Sequence, residues 1–467
     1  MTKSKPKHVL IVGAGFAGLA AAIELNKAGV QTTLCERQSS VGGLSQTIEL
    51  AGIRFELGPH IYFDKDQEVT AFWHSLPGVV MTKHERSNRI FYNGKFIKSP
   101  LSVPDTLMKL GPIVVARILG SYAMRGFAKR EMSSAEDWVR SNFGGELFKR
   151  FFQVYNEKIW GIPCSEMAAD WAGQRIKTSL ATMVVKSVSR DKEFIVKTFE
   201  FPSGGSKAIY QSQLELLKKS PTHSFLLNEE PKHIRTSEFG YEVEFSNTTL
   251  CNTFSHVIWT GHLDRLVEVL DDERAPGFEE LKQATSKLRY RNLVLLNFVF
   301  REEDVRNFKE HWIDVHDSNI QALRVTNFSN YNSDHAKGSC GVGVEYNCWP
   351  EDEIWSSSES QLQEMGLKEL QTMRLAGPKA QPLAFSALKL SRAYPVYFKG
   401  YQKYSSLVLD SLAKFPNLST AGRNGLYKWN NMHHSVKTGI LAARNVLGED
   451  NDLLAVKGMV SFGKDSD

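Results

Sequence analysis

The sequence predicts an α/β fold in which a parallel sheet is assembled from separated stretches of chain, interrupted by a helical lobe and an antiparallel sheet. Three observations carry that expectation. Residues 9–18 read Val-Leu-Ile-Val-Gly-Ala-Gly-Phe-Ala-Gly, then an Ala-rich helix, a short apolar run and an acid, Glu36. From Pro104 to Val184 the pattern is mostly helical and rich in Phe, Trp and Ala, and strand signals return at 241–245, 256–260, 290–300, 340–347 and 418–420. At 467 residues the chain also exceeds what one hydrophobic core supports, so two or three domains are expected.

The first unit is a Rossmann-like βαβ. Gly13 permits the tight turn off the strand, Gly15 lets backbone approach a pyrophosphate, and Gly18 lets the helix pack close to the sheet. Phe16 and Ala17 open that helix, whose free N–H groups and dipole face the phosphates. Glu36, eighteen residues after Gly18, is placed to accept hydrogen bonds from ribose hydroxyls. A lone Gly-x-Gly-x-x-Gly is weak, but strand, helix, spacing and acid agree here. The chain is expected to bind a dinucleotide.

Just downstream, Glu36-Arg37 is followed by Val41-Gly42-Gly43-Leu44, and then by Gly58-Pro59-His60-Ile61-Tyr62. A second glycine pair lets backbone run beside the remainder of an extended cofactor. These segments resemble the FAD-binding start of the amine-oxidase, protoporphyrinogen-oxidase and UDP-galactopyranose-mutase superfamily. The resemblance implies FAD as cofactor, with Gly58, Pro59 and His60 passing near its ring system.

The expected organisation is an FAD-binding domain in three parts, 1–88, 201–265 and 416–450. A helical substrate lobe at 89–200 and an antiparallel sheet domain at 266–415 interrupt it, and a polar tail follows at 451–467. Asn93-Gly94 reads as the turn of a hairpin over 90–97. Phe201-Pro202-Ser203-Gly204-Gly205 is a breaker before a helix running to about Lys219.

Two further segments carry candidate chemistry. Tyr155-Asn156-Glu157-Lys158-Ile159-Trp160-Gly161 resembles the Tyr-x-x-Lys-x-Trp-Gly signature of UDP-galactopyranose mutases, with Arg175 at the distance of that family's first diphosphate-binding arginine. The resemblance implies that Tyr155 and Trp160 meet the nucleotide end of a substrate, and Lys158 is a further substrate-binding candidate whose charge suits phosphate. Arg324, in Ala-Leu-Arg-Val-Thr-Asn, fits the second arginine, and Tyr394 a tyrosine near the phosphates. From the residues alone, the competing reading is a helix end whose aromatics fill the core and whose lysine is solvated.

The C-terminal block Gly422-Arg423-x-x-x-Tyr427-x-Trp429-x-Asn431-Met432-His433 resembles the mutase run that holds the flavin, and Gly422, Arg423, Asn431 and Met432 are the expected cofactor contacts. Tyr427 and Trp429 are expected to face substrate. Three positions depart from that run: Trp429 replaces a tyrosine, and Asn431 and His433 replace two aspartates. Trp offers no phenol, and the pocket loses two acids.

His60 admits two readings, a residue that tunes the flavin or a packed loop histidine. His433 and His434 are weaker candidates of the same kind.

The resemblance implies a mutase-like rearrangement of a nucleotide-activated sugar, with N5 of reduced flavin as nucleophile at the anomeric carbon. His60, Arg175 and Arg324 would be its catalytic residues. The alternative is an FAD oxidase or dehydrogenase of the amine-oxidase or protoporphyrinogen-oxidase type; a redox-sensing binding protein is a third reading. No separate NAD(P)H domain is visible, so an external reductant such as NAD(P)H would act directly on the flavin.

Other classes are excluded or disfavoured. The net charge of +5 comes without the Lys/Arg clustering that a nucleic-acid partner would want. The five cysteines form no CxxC pair, which fits reduced thiols and a cytoplasmic setting. Metal-ligand spacing is absent. Lys3, Lys5 and Lys7 mimic a signal peptide, but the apolar stretch behind them is the first strand. No uncharged run reaches the ~20 residues a membrane span needs. Leu107–Ala128, with Lys109, Arg117 and Arg125, could lie on a membrane surface, but a domain helix with a solvated face is the preferred reading.

Overall fold

The computed structural model describes residues 8–62, 66–99, 101, 103–127, 131–175, 198–248, 251–271, 277–305, 308–331 and 336–456. Its nucleotide sheet has five parallel strands, in the order Leu418–Thr420, His256–Trp259, His8–Val12, Gln31–Glu36 and His223–Leu227. The first strand of the chain lies at the centre, so the sheet brings together segments from both ends of the sequence. Parallel strands covered on both faces read as continuous apolar runs, and Val9, Leu10 and Ile11 are fully buried.

The helix Phe16–Lys27 follows the first strand, and nearly all of it is buried. It packs between Ser206–Lys218 and the C-terminal helix Met432–Val446. Two glycines make this possible. A Cβ on Gly18 would stand 1.9 Å from the Gly13 carbonyl oxygen, and one on Gly439 would stand 2.1 Å from that of Ala17. Both positions exclude a side chain because backbone already occupies the space.

The second sheet has seven strands, in the order Ala384–Pro395, Tyr290–Arg301, Ser339–Cys348, Arg324–Asn327, Trp312–Val315, Asn88–Tyr92 and Lys95–Lys98. It is antiparallel except where Trp312–Val315 runs parallel to Asn88–Tyr92. The predicted hairpin forms, with Asn93 and Gly94 both left-handed at φ +48° and +68°. Its strands extend this sheet, although the sequence had grouped them with the helical lobe. That pairing spans more than two hundred residues and leaves no local signature.

The helical lobe contains Val103–Leu110, Pro112–Ala123, Ala135–Phe143, Val154–Trp160 and Ala169–Arg175. A wide π-turn at Phe148–Gln153 leads into Val154–Trp160. Two small antiparallel pairs complete the frame: Thr47–Leu50 with Ile53–Glu56, and Met81–Glu85 with Thr198–Pro202. The first pair delivers Glu56 and then the Gly58-Pro59-His60 segment to the sheet junction. Among the described residues no helix is long and apolar enough to cross a membrane.

Candidate active site

A cavity of about 450 Å³ opens at the carboxyl ends of the parallel strands, where open α/β sheets bind ligands. Gly13, Gly15, Phe16, Ala17, Glu36, Arg37, Gly42, Gly43, Leu44, His60, Gly422, Arg423, Asn431 and Met432 line it. Gly18, Gly58 and Pro59 do not; Gly18 lies behind it at the helix–strand contact. The turn that shapes the cavity is closed by the Gly42 N–H donating to the Ala14 carbonyl, at 2.8 Å. Glu36 is fixed by accepting the backbone N–H groups of Ala14 at 2.9 Å and Gln38 at 3.0 Å. Its carboxylate thereby faces the cavity.

The lining fits a large polar ligand. Among the described residues, both side-chain polar atoms of buried Asn430, Oδ1 of Asn424 and Nδ1 of His60 have no hydrogen-bond partner. Buried polar groups are rarely left so, and several on one wall point to a bound partner. A Cβ on Gly15 would meet none of the described atoms within 4 Å, which leaves room for a ligand to approach the backbone there. Asn430, Asn424, Glu229 and His262 were not singled out from the sequence; an asparagine in a loop carries no signal until its neighbours are known.

Around His60 the titration states are set by burial. Burial, with Arg423 adding to it, pushes the imidazole down to about 3, so His60 is neutral near pH 7. Its Nδ1 lies 3.9 Å from Oε2 of Glu56. Glu56 is buried, and burial pushes its carboxyl up to about 7 despite hydrogen bonds to Oε1 from Ser206 and Thr47. Arg423 donates to the carbonyls of Asn430 at 2.9 Å and Ala393 at 3.3 Å, with its guanidinium 4.9 Å from the Tyr394 ring centre. Tyr394 stacks on Trp429 at 4.6 Å and 17°.

Beyond this aromatic wall lies a second charged group. Arg324 donates to Asp314 Oδ1 at 3.0 Å, to Glu345 Oε2 at 3.5 Å and to the Tyr155 hydroxyl at 3.0 Å. The Tyr155 hydroxyl donates in turn to Asp314 at 2.9 Å, and its ring stacks on His316 at 4.4 Å. Burial would raise Asp314, but Arg324 and His316 overrule it and hold the carboxyl below its ordinary value. Glu345 goes the other way, raised by burial that Arg324 only partly offsets. Glu345 also adjoins the flavin-side segment, since a Cβ on Gly58 would lie 4.0 Å from its Oε2. Asp314, Glu345 and Glu56 were missed in the sequence, where the one signal was an acid standing in an apolar strand.

Other expected substrate contacts are placed differently. The Lys158 ammonium donates to the carbonyls of Val315, Asp317 and Ala322 at 3.0, 2.8 and 3.0 Å, which occupies all three donors. Glu369 holds the same loop by accepting the N–H groups of Gln321 and Ala322 at 2.5 and 3.0 Å. Lys158 is therefore a clamp on the loop before Arg324. Trp160 is 1% exposed and packs against Trp171, Tyr397 and Trp429, so it is a core residue. Tyr427 is also core: its hydroxyl is shared among backbone groups of Arg289 and Val396. His434 accepts the Asn431 N–H at 3.0 Å and caps the last helix, while His433 lies edge-on to Tyr62. Arg175 closes helix Ala169–Arg175, and its side chain lies outside the described residues.

Fold and cavity together define an FAD-dependent flavoprotein. The chain belongs to the family of flavin containing amine oxidoreductases, whose model matches residues 16–447. Among solved structures it is similar to reduced UDP-galactopyranose mutase, at 22% identity over 97% of this chain and 96% of that one, with a TM-score of 0.83. It is also similar to cyclohexylamine oxidase from Brevibacterium oxydans IH-35A, at 14% identity over 94% and 98%, with a TM-score of 0.68. At these identities the likeness is one of fold. Among curated proteins it is 46% identical over 237 residues to 1-hydroxycarotenoid 3,4-desaturase from Flavobacterium sp. (strain P99-3), covering 46% of this chain and 48% of that relative. The match thus spans about half the relative's length.

Proposed function

We propose that this flavoenzyme acts on a nucleotide-activated sugar, as a pyranose/furanose mutase-like isomerase. The observation that carries the reading is the charge balance reaching from the cavity to Tyr155. Arg423 lines the cavity, Arg324 stands at Tyr155, and Arg86, over the Trp312 ring, adds its charge at Asp314 and Arg324; Asp314 is the acid held ionised beside them. Burial raises Glu56 to about 7 and leaves His60 neutral, while Glu345 pairs with Arg324 at 3.5 Å. Guanidinium groups gathered in this way suit a diphosphate, which they bind in a matching planar geometry.

Reduced FAD, when bound, supplies a nucleophile in chemistry of this type. The chain's own residues would do the rest. Arg324 and the Tyr155 hydroxyl would bind the diphosphate, Asp314 would keep both aimed, and Arg175 keeps the role the resemblance implies for it. Tyr394 and Trp429 would form the wall against the sugar, and His60 would offer a neutral imidazole to the flavin edge.

A hydride-removing oxidoreductase is the second reading. Trp429, flat against Tyr394, gives an apolar wall where the resembled mutases have a phenol, and the Flavobacterium relative is a desaturase by name.

Trapping separates the two. The holoprotein would be reduced anaerobically, given nucleotide hexoses with cyanoborohydride, and its flavin weighed. A flavin–hexose mass is expected. Intact FAD across the panel, together with flavin bleaching when oxidised enzyme meets an amine or polyene, would establish the oxidoreductase instead.

A further inference from the structure

The helix Pro112–Ala123 reads Pro-Ile-Val-Val-Ala-Arg-Ile-Leu-Gly-Ser-Tyr-Ala, which is apolar nearly all round. A helix of that composition is ordinarily enclosed by its domain. Here Ile118 is its one buried residue, and Ile113 and Leu119 are 69% and 48% exposed. The neighbouring segments continue the surface, with Met108 at 75%, Leu107 at 43% and Met124 at 61%. Five of the thirteen exposed large hydrophobic residues among those described thus lie between 107 and 124. That concentration exceeds the scattered exposure normal for a protein surface.

The charges of the same stretch have one sign. Between Asp105 and Glu131 the sequence contains Lys109, Arg117, Arg125, Lys129 and Arg130 and no acid. Lys109 and Arg117 are exposed beside the apolar side chains. A second copy docking face to face would bring these cations together, because a two-fold interface repeats the same patch on both sides. An anionic lipid surface would instead receive both features: headgroups pair with the cations while the apolar side chains enter the acyl boundary.

We infer that residues 107–125 form a peripheral docking surface for an anionic membrane. The face lies on the helical lobe and is independent of the substrate assigned above. The test is co-sedimentation of the full-length holoprotein with vesicles of phosphatidylcholine alone or mixed with phosphatidylglycerol. Binding to the mixed vesicles is expected, weakened by raised salt and reduced at least tenfold in a Met108→Glu/Ile113→Glu variant that still retains its flavin. If that variant loses flavin, Lys109→Glu/Arg117→Glu replaces it, because exposed charge reversals leave the packing untouched. Absence of binding to the mixed vesicles would overturn the inference. So would equal binding by wild type and a flavin-retaining variant, or a wild-type dimer, seen by sedimentation equilibrium, that Ile113→Glu dissolves.

Discussion

At the scale of single residues, the flavin-side chemistry is governed by two buried groups that each carry one atom without a hydrogen bond among the described residues. Glu56 Oε2 and His60 Nδ1 lie 3.9 Å apart, and no atom among the described residues satisfies either. At 3.9 Å the two atoms stand beyond hydrogen-bond reach, so the protonation of Glu56 acts on the imidazole through its charge alone. Its carboxyl is raised from the ordinary 4.5 to about 7. The sign follows directly. Between those values the folded state keeps a proton that the unfolded state releases, so stability falls as pH rises through the window and levels off above about 7. That difference corresponds to roughly 3 kcal/mol. Glu56→Gln should remove this slope: wild-type minus variant unfolding free energies, from denaturant titrations at pH 4.5 to 8, should change by about that amount. A flat difference curve would show that Glu56 is solvated. His60 was legible beside its glycine, but Glu56 was not, because Arg-Phe-Glu-Leu-Gly looks like any half-buried strand with a solvent-facing acid.

At the scale of elements, backbone approach and loop clamping determine where the site residues stand. The cofactor helix meets the C-terminal helix at Gly439, where a Cβ would fall 2.1 Å from the Ala17 carbonyl oxygen. Gly439→Ala must push the two helices apart. Overpacking of this kind costs roughly 1–3 kcal/mol, and because Ala17 and Met432 both line the cavity, FAD affinity should fall with it. Thermal melts and flavin titration would check this; unchanged FAD affinity would place the strain elsewhere. Lys158 makes the parallel case for the substrate side. Lys158→Met would strand three carbonyls and leave Glu369 without its nearby cation, at a cost of about 3–5 kcal/mol by denaturant unfolding. The nucleotide unit was legible because its glycines, strand and acid are close in sequence and each has a local reason. Lys158, Trp160 and Tyr427 were not. The carbonyls that hold Lys158 arrive from more than 150 residues away, Trp160 packs on Tyr397 and Trp429 from more than two hundred, and Tyr427 reaches back 138 residues to Arg289.

At the scale of the molecule, the cavity is where the separated segments meet. Its walls come from residues 12–46, 57–60, 229–230, 259–265, 389–392 and 422–435, which belong to both sheets. A ligand held there contacts strands from the beginning, middle and end of the chain, so its binding energy is also assembly energy. Anything that binds only the folded state stabilises it by RT ln(1 + [L]/Kd), about 2.7 kcal/mol at a hundred times Kd. Removing FAD should therefore lower the melting temperature of the whole protein, and added FAD should restore it in a concentration-dependent manner. The effect should also be shared. Amide exchange should slow on FAD addition in His8–Val12, in His256–Trp259 and in Met432–Val446 together, although the first and last are more than four hundred residues apart. Protection confined to the first sixty residues would mean that the glycine-rich unit binds the cofactor alone, and that the C-terminal block closes over it without contributing to the hold.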